Sequence, residues 1–419
     1  MSSPTTLPTM AELGARAKAA SRSLALVGTD AKNAALLAAA DLLLARHAEI
    51  LAANARDVVT AEATGATAAQ LDRLRLSEDK LRGMADGLRQ VASLADPVGE
   101  ITDGFTRPNG LRIAKVRVPL GVVAIIYENR PNVTSDAAGL CVKAGNAAFL
   151  RGSGSAIESN KQIAGALRDA MEKAGLPADS VILVEDTRHE AAVEFMRQRD
   201  SIDCLIPRGG PSLIRSIIDN ATVPYVIDGD GNCHVYVDAA ADLDMALDII
   251  VNAKTQRPSV CNAAESLLVH ASVADVFLPR VDVALAAVEL VGDDRTRVCV
   301  PRAGVATDED YATEFLDLKL SVRVVDSLGE AIAHIQRFGS GHSEAIVTND
   351  VGAADRFLFE VDAAAVLVNA STRFVDGGEF GLGAEIGIST QKLHARGPMG
   401  LRALTTEKFV VRGAGQIRS

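Results

Sequence analysis

The chain of 419 residues contains no tryptophan, and aromatic residues make up only 4% of it. With 48% hydrophobic residues, its cores must be built from Ala, Val, Leu and Ile, a composition suited to helices packed on parallel strands. No Lys/Arg-rich run occurs, and 43 basic against 54 acidic side chains leave a formal charge of −11. Neutralising phosphates needs a concentrated basic face, so no nucleic-acid partner is expected. No stretch approaches the ~20 apolar residues of a membrane-spanning helix. Met1 to Thr6 show no basic region leading into an apolar one, so no signal peptide and no membrane partner are expected. The five cysteines (Cys141, Cys204, Cys233, Cys261 and Cys299) are odd in number and scattered. None forms a C-x-x-C pair, which argues against a disulfide framework or a metal site and for a cytoplasmic location. Also missing are a G-x-G-x-x-G turn after a strand, a P-loop, an H-E-x-x-H helix and a G-x-S-x-G elbow. A dinucleotide bound here would do without the usual glycine turn.

What is present reads as two or three domains, at roughly 100–200 residues each. Residues 9–97 are helical in pattern, opened by a Thr9/Glu12 capping box and continued by the runs Ala31 to Val59 and Asp79 to Leu94. Leu111 to Val118 alternates apolar and basic residues, as a strand with one wet face does. Val122 to Tyr127 is continuously apolar, as a strand buried on both faces. Strands at 122–127, 147–150, 181–185, 202–206, 223–227 and 234–237 then alternate with helices at 135–144, 156–174, 189–199 and 211–220. A second series follows: helix 241–254, strand 265–269, helix 273–290, strand 321–325, helix 327–338, strand 344–348, helix 350–359 and strand 364–369. A strand-like run from Lys408 to Arg412 closes the chain. Such alternation predicts doubly wound parallel sheets, with ligands at the carboxyl ends of the strands.

Four segments carry candidate chemistry. In Lys254-Thr-Gln-Arg-Pro-Ser-Val-Cys261-Asn, a helix must stop before Pro258, which leaves Cys261 on a short helix-to-strand connection. Arg257 lies four residues upstream, and a cationic neighbour raises a thiol's thiolate fraction. The other four cysteines sit in or beside apolar runs, where a buried structural thiol is the ordinary case. Tyr127-Glu-Asn-Arg130-Pro-Asn132-Val-Thr follows the buried strand; Asn132 is either an amide donor aimed at a ligand or a helix cap. Leu150-Arg151-Gly152-Ser153-Gly and Pro207-Arg208-Gly209-Gly210-Pro also follow strands, where each is either a phosphate cradle or a tight turn.

In this order the segments resemble the aldehyde dehydrogenase superfamily, and within it the γ-glutamyl phosphate reductase family, also called glutamate-5-semialdehyde dehydrogenases. Ile206-Pro-Arg-Gly-Gly210, Gly339-Ser-Gly-His342-Ser-Glu344-Ala-Ile and Asp376-Gly-Gly-Glu-Phe-Gly-Leu-Gly-Ala-Glu-Ile-Gly-Ile-Ser-Thr390 extend the likeness over nearly the whole chain. The resemblance implies an aldehyde dehydrogenase-like α/β fold: two doubly wound parallel domains plus a small β oligomerisation arm. The NADPH-binding domain would take residues 1–105 and 122–235, the catalytic domain 236–372, and the arm 106–121 and 388–419. It further implies NADPH-dependent reduction of L-glutamyl 5-phosphate to L-glutamate 5-semialdehyde, with phosphate released, as the second step of proline synthesis.

On this reading Cys261 is the nucleophile and Asn132 the oxyanion donor. Arg257, Arg130, His342 and Glu344 are candidate substrate or phosphate ligands, with a structural ion pair as the alternative for Arg257. Arg151, Gly152, Ser153, Pro207, Arg208, Gly209 and Gly210 are candidate cofactor ligands. Arg151 stands where many relatives carry a Lys for the adenosine ribose, and an Arg fork suits a 2′-phosphate. Val226-Ile-Asp-Gly-Asp-Gly-Asn-Cys-His234 has no Glu where hydrolytic relatives carry their water-activating base. Expected partners are the small-molecule substrate, a second copy of the chain in a homodimer or homotetramer, and functional coupling to glutamate 5-kinase. Rival readings are an acyl-CoA reductase of the same superfamily, a hydrolytic aldehyde dehydrogenase and a catalytically silent scaffold.

Overall fold

The structure is a computed structural model that describes residues 7–227 and 229–418. Met1 to Thr6, read for a leader, and Asp228, in the segment lacking a general base, lie outside the described residues. The chain opens with helices α1 (Met10–Leu24), α2 (Thr29–Ala45), α3 (His47–Ala63), α4 (Ala68–Leu74) and α5 (Glu78–Ser93). The antiparallel pair β1 (Ile101–Thr106) and β2 (Arg112–Pro119) follows, then β3 (Val122–Tyr127), α6 (Asn132–Lys143), β4 (Ala147–Gly152), α7 (Ile157–Lys173), β5 (Val181–Leu183), α8 (His189–Phe195), β6 (Cys204–Arg208) and α9 (Pro211–Asn220). The second series is β7 (Cys233–Val237), α10 (Leu243–Thr255), β8 (Ala264–His270), α11 (Ala271–Ala284), β9 (Glu289–Gly292), α12 (Asp294–Cys299), β10 (Gly304–Val305), α13 (Asp308–Ala312), β11 (Lys319–Val325), α14 (Leu328–Phe338), β12 (Ser343–Val347), α15 (Val351–Glu360) and β13 (Ala365–Val368). Short strands β14 (Ile388–Ser389) and β15 (Gly397–Pro398) and the terminal β16 (Thr405–Arg412) complete it. No helix among the described residues is long and apolar enough to cross a membrane.

The chain divides into two units, one of residues 1–227, 382–387 and 399–419, the other of 228–381 and 388–398. In the first, β5-β4-β3-β6 form a parallel sheet. Val122, Ala124, Ile126, Ala147 and Phe149 from its strands join Ala17, Phe195 and Ile217 in one apolar core. Val123, Ile125 and Tyr127 on the opposite face of β3 are buried as well, so its continuous hydrophobicity reflects burial on both faces. The helix α1 starts as expected: the Thr9 backbone N–H donates to Glu12 at 2.8 Å, and the Glu12 N–H returns a bond to the Thr9 hydroxyl at 3.3 Å. The arm is a three-stranded antiparallel sheet, β1-β2-β16. In the second unit, β10-β9-β11-β8-β7-β12-β13 form a parallel sheet around a core of Val, Leu, Ile and Ala.

Several elements depart from the sequence expectation. Residues 223–227 make only an isolated bridge, Tyr225 to Leu205, because Pro224 has no N–H to continue a ladder. The strand at 234–237, read as the end of the first series, lies inside the second sheet between β8 and β12. The helix expected at 273–290 ends at Ala284, and Glu289–Gly292 pairs in parallel with β11 instead. That Val-rich run suits either state, and burial between neighbouring strands decides it. The run from Ala31 to Val59 breaks at Arg46 into α2 and α3. Cys299, read as a buried thiol in an apolar run, instead ends α12 half-buried with its thiol near Asp275.

Candidate active site

In the first unit, the carboxyl ends of β4, β3 and β6 bring three of the predicted segments together. The Glu128 N–H donates to the Arg208 carbonyl at 3.1 Å, and the Gly210 N–H donates to the Glu128 carboxylate at 3.1 Å. Asn129, at φ +39°, receives the Ser153 hydroxyl at 3.0 Å. Asn132 begins α6, half-buried, and its Nδ2 donates to Asp136 Oδ2 at 2.8 Å. It is thus neither a cap nor confined to a turn. Arg130 is exposed on the same loop.

The glycines of this edge are not equivalent. A Cβ on Gly152 would lie 2.2 Å from the Asn160 amide nitrogen, so this glycine serves the approach of α7 to β4. A Cβ on Gly209 would meet Leu213 and Glu128, whereas one on Gly210 would meet nothing within 4 Å. Gly210 therefore leaves open space at the start of the ten-residue helix α9, the kind of position where an anion meets free backbone dipoles. Arg151 is only 9% exposed, and its Nη2 donates to the carbonyls of Thr187 (3.2 Å) and Arg188 (2.8 Å). The guanidinium expected to stand open as a fork is thus partly committed to the 187–188 loop. Its buried Nε has no protein partner.

The nucleophile segment lies in the second unit. Asp242 caps α10, accepting from the N–H groups of Asp244 and Met245, and the helix ends at Thr255, three residues before Pro258. Cys261 is half-buried, whereas Cys141, Cys204 and Cys233 are buried. Burial pushes the Cys141 and Cys233 thiols well up and that of Cys204 to about 12, which leaves all three inert. Arg257 is exposed. The sequence reading missed Arg373, whose half-buried guanidinium lies within electrostatic reach of both Arg257 and Cys261. Asn262 donates to the Val375 carbonyl at 2.9 Å, which ties the nucleophile loop to the segment carrying Arg373. A contact spanning more than a hundred residues has no signature in local spacing.

The segment without the Glu base packs directly on the nucleophile's backbone. The Cys233 Sγ donates to the Cys261 carbonyl at 3.1 Å, and a Cβ added to Gly231 would stand 1.8 Å from that same oxygen. The Gly231 N–H is held by Glu314 at 2.8 Å. Beneath the loop, Lys254 and Glu265, both fully buried, pair at 2.5 Å and so join the end of α10 to the start of β8.

His342 and Glu344, expected as substrate ligands, are turned inward instead. Both are fully buried. His342 Nδ1 lies 2.8 Å from the Ser343 hydroxyl, and burial pushes its pKa down to about 4, so the ring is neutral. Glu344 accepts the His234 backbone N–H and lies 2.9 Å from its Nδ1. Neither side chain has the exposure that a direct phosphate contact needs. Among the described residues no His/Cys/Asp/Glu cluster could hold a metal ion.

The Aldehyde dehydrogenase family model matches residues 8–301. A Gamma-glutamyl phosphate reductase of Moorella thermoacetica is 58% identical over 407 residues, covering 97% of each chain, and one of Thermobifida fusca is 55% identical over 405 residues, 96% of this chain and 97% of the relative. The crystal structure of Gamma-glutamyl phosphate reductase from Thermotoga maritima superposes with a TM-score of 0.97 at 47% identity, over 98% of this chain and all of that one. An acetylating aldehyde dehydrogenase from Geobacillus thermoglucosidasius shares the fold at a TM-score of 0.69 and 18% identity. The chain belongs to the aldehyde dehydrogenase family, in its gamma-glutamyl phosphate reductase branch.

Proposed function

We propose that the protein reduces L-glutamyl 5-phosphate to L-glutamate 5-semialdehyde, releasing phosphate, in proline synthesis from glutamate. The observation that carries this reading is the setting of Cys261, the half-buried thiol of a loop bearing Arg257 and approached by Arg373. Burial first, and then the neighbouring Arg257 charge, disfavour the charge on Arg373. An anion relieves that, and a phosphate takes charge-assisted bonds from such forks. The Cys261 thiolate adds to the acyl-phosphate carbon. The tetrahedral oxyanion, for which Asn132 is the assigned side-chain donor, collapses as the carbon–oxygen bond to phosphate breaks. Phosphate carries away that electron pair, so no strong acid is needed. A thioacyl group remains on Cys261 and goes to hydride, because the segment Val226 to His234 has no Glu where hydrolytic relatives carry their water-activating base. A nicotinamide cofactor held at the Arg151–Ser153 and Pro207–Gly210 turns would supply that hydride, and the Cys261 thiolate is the group that departs as the aldehyde forms.

NADPH over NADH is the proposed preference. Arg151 anchors the 187–188 loop, and the exposed Arg188 beside it is paired with Asp186 at 2.6 Å, so the preference is assigned to Arg151. Arg151→Ala should raise the Michaelis constant for NADPH far more than for NADH, and equal effects would remove the assignment. The arm is proposed to pair with another copy of the chain. Phe105, Phe409 and Val411 are exposed on β1 and β16, an apolar set a monomer has little reason to show. The reaction itself is tested in reverse. Oxidation of glutamate semialdehyde with NADP⁺ should depend on inorganic phosphate and disappear in Cys261→Ser. Dependence on coenzyme A instead would establish the acyl-CoA reductase reading.

A further inference from the structure

The catalytic reading leaves unexplained an acidic residue placed where burial penalises it. Asp136 lies on α6, a helix whose residues from Val133 to Lys143 are otherwise buried. Burial is the largest influence on its carboxyl and raises its pKa, against the lowering effects of hydrogen bonds from Asn132 and Ser135 and of the nearby Arg208 charge. With Pro131 as the cap, Asp136 is the fifth residue of the helix. It lies beyond the first turn, where an acid would satisfy free N–H groups or complement the dipole. Helix formation therefore gives no account of it.

Its geometry does. Asp136 sits one turn after Asn132 and accepts the Asn132 Nδ2 at 2.8 Å. A carboxylate only accepts hydrogen bonds, so the amide can present only its nitrogen to it. Flipped by half a turn, the Asn132 carbonyl oxygen would face the carboxylate across the same distance, oxygen against oxygen. Asp136 thus decides a choice of amide orientation that an unpartnered Asn leaves open. One N–H is engaged, which leaves the second, fixed in the same rigid plane, to act as a donor. The Ser135 hydroxyl, donating to the Asn132 backbone carbonyl at 2.9 Å, holds the same turn.

Resting on the assignment of Asn132 as oxyanion donor above, we propose that Asp136 is a positioning residue. It fixes the flip of the Asn132 amide so that its N–H, not its carbonyl, meets the developing negative charge. A misoriented amide would place a lone pair where the reaction builds an anion.

The test is a double-mutant cycle on the full-length enzyme, read by phosphate-dependent oxidation of glutamate semialdehyde. Asn132→Ala should lower kcat by about 10²–10³-fold. Asp136→Ala should lower it at least about 10-fold and no further than Asn132→Ala, with KM for NADP⁺ and the rate of Cys261 alkylation by iodoacetamide unchanged. On the Asn132→Ala background, Asp136→Ala should add less than about twofold, because the group it acts through is gone. Asp136→Asn, whose side-chain oxygen can accept the same bond, should stay within about fivefold of the wild type. Losses that multiply in the double variant, or an Asp136→Asn enzyme as slow as Asn132→Ala, would overturn the proposal even if Asp136→Ala fails to fold. An Asn132→Ala enzyme of full activity would instead overturn the oxyanion assignment beneath it.

Discussion

Gly231→Ala adds a single methyl group, and the structure sets its consequence. The new Cβ would stand 1.8 Å from the Cys261 carbonyl oxygen and 2.5 Å from its carbonyl carbon and Cα, where ordinary contact begins at 3.4 Å. The two segments must therefore open by about 1.6 Å. Gly231 is not among the glycines at positive φ, so its backbone accepts alanine and the effect is purely steric. The Gly231 side has little room to retreat. Its N–H is held by Glu314, and the next residue, Asn232, donates from its buried amide to the carbonyls of Tyr311 and Phe338, both at 2.8 Å. The nucleophile loop is what moves. A displacement of ~1 Å at a reacting group costs about 10²-fold in rate, and overpacking costs about 1–3 kcal/mol in stability. Gly231→Ala should thus lower kcat/KM by about 10²-fold or more, and Tm by roughly 2–12 °C. Phosphate-dependent semialdehyde oxidation and thermal unfolding measure the two. A variant within threefold of wild-type kcat/KM at an unchanged Tm would refute the claim that this backbone contact positions Cys261.

Arg373→Ala should raise KM for phosphate by about 10–10²-fold, the size of one or two lost charge-assisted bonds. Initial rates at varied phosphate check this, and an unchanged phosphate KM would remove the assignment. Lys254→Met leaves the Glu265 carboxyl buried without its partner and should destabilise the protein by about 3–5 kcal/mol in urea unfolding. Burial pushes Glu265 up to about 7 even beside Lys254. Between pH 4.5 and 7 the folded state therefore keeps a proton that the unfolded chain has lost. Wild-type stability relative to Glu265→Gln should fall as pH rises through that window and then level off, and a rise would contradict the sign. Phe409→Asp on the arm should shift the sedimentation coefficient toward that of a monomer, and an unchanged coefficient would remove the arm from the interface.

Much of the fold was legible because local signals agreed with burial. The apolar run Val122 to Tyr127, the Thr9/Glu12 box and Pro258 each mark an element boundary by sterics or hydrogen bonding alone, and each boundary holds to within about two residues. Glu289–Gly292 was not legible, because only its neighbours in the sheet distinguish it from a continuing helix. In the site, the loop of Cys261 could be placed by Pro258, but Arg373, Gly231 and Glu314 reach it through tertiary contact. His342 and Glu344 show the converse: they belong to a family motif, yet they face the interior of their unit. Asp136 was within reach, since Asn132 and Asp136 are four apart on a helix, but a helix predicted to begin at residue 135 put Asn132 outside it and concealed the pair.

The central claim is that Cys261 carries a thioacyl group that phosphate, and not water, discharges. Incubating the enzyme with glutamate semialdehyde and NADP⁺ while withholding phosphate isolates that species. The account predicts a burst of one NADPH per subunit, a glutamyl adduct confined to the peptide containing Cys261, and its rapid loss when phosphate is added. Absence of the adduct, or its discharge by water as fast as by phosphate, would contradict the account.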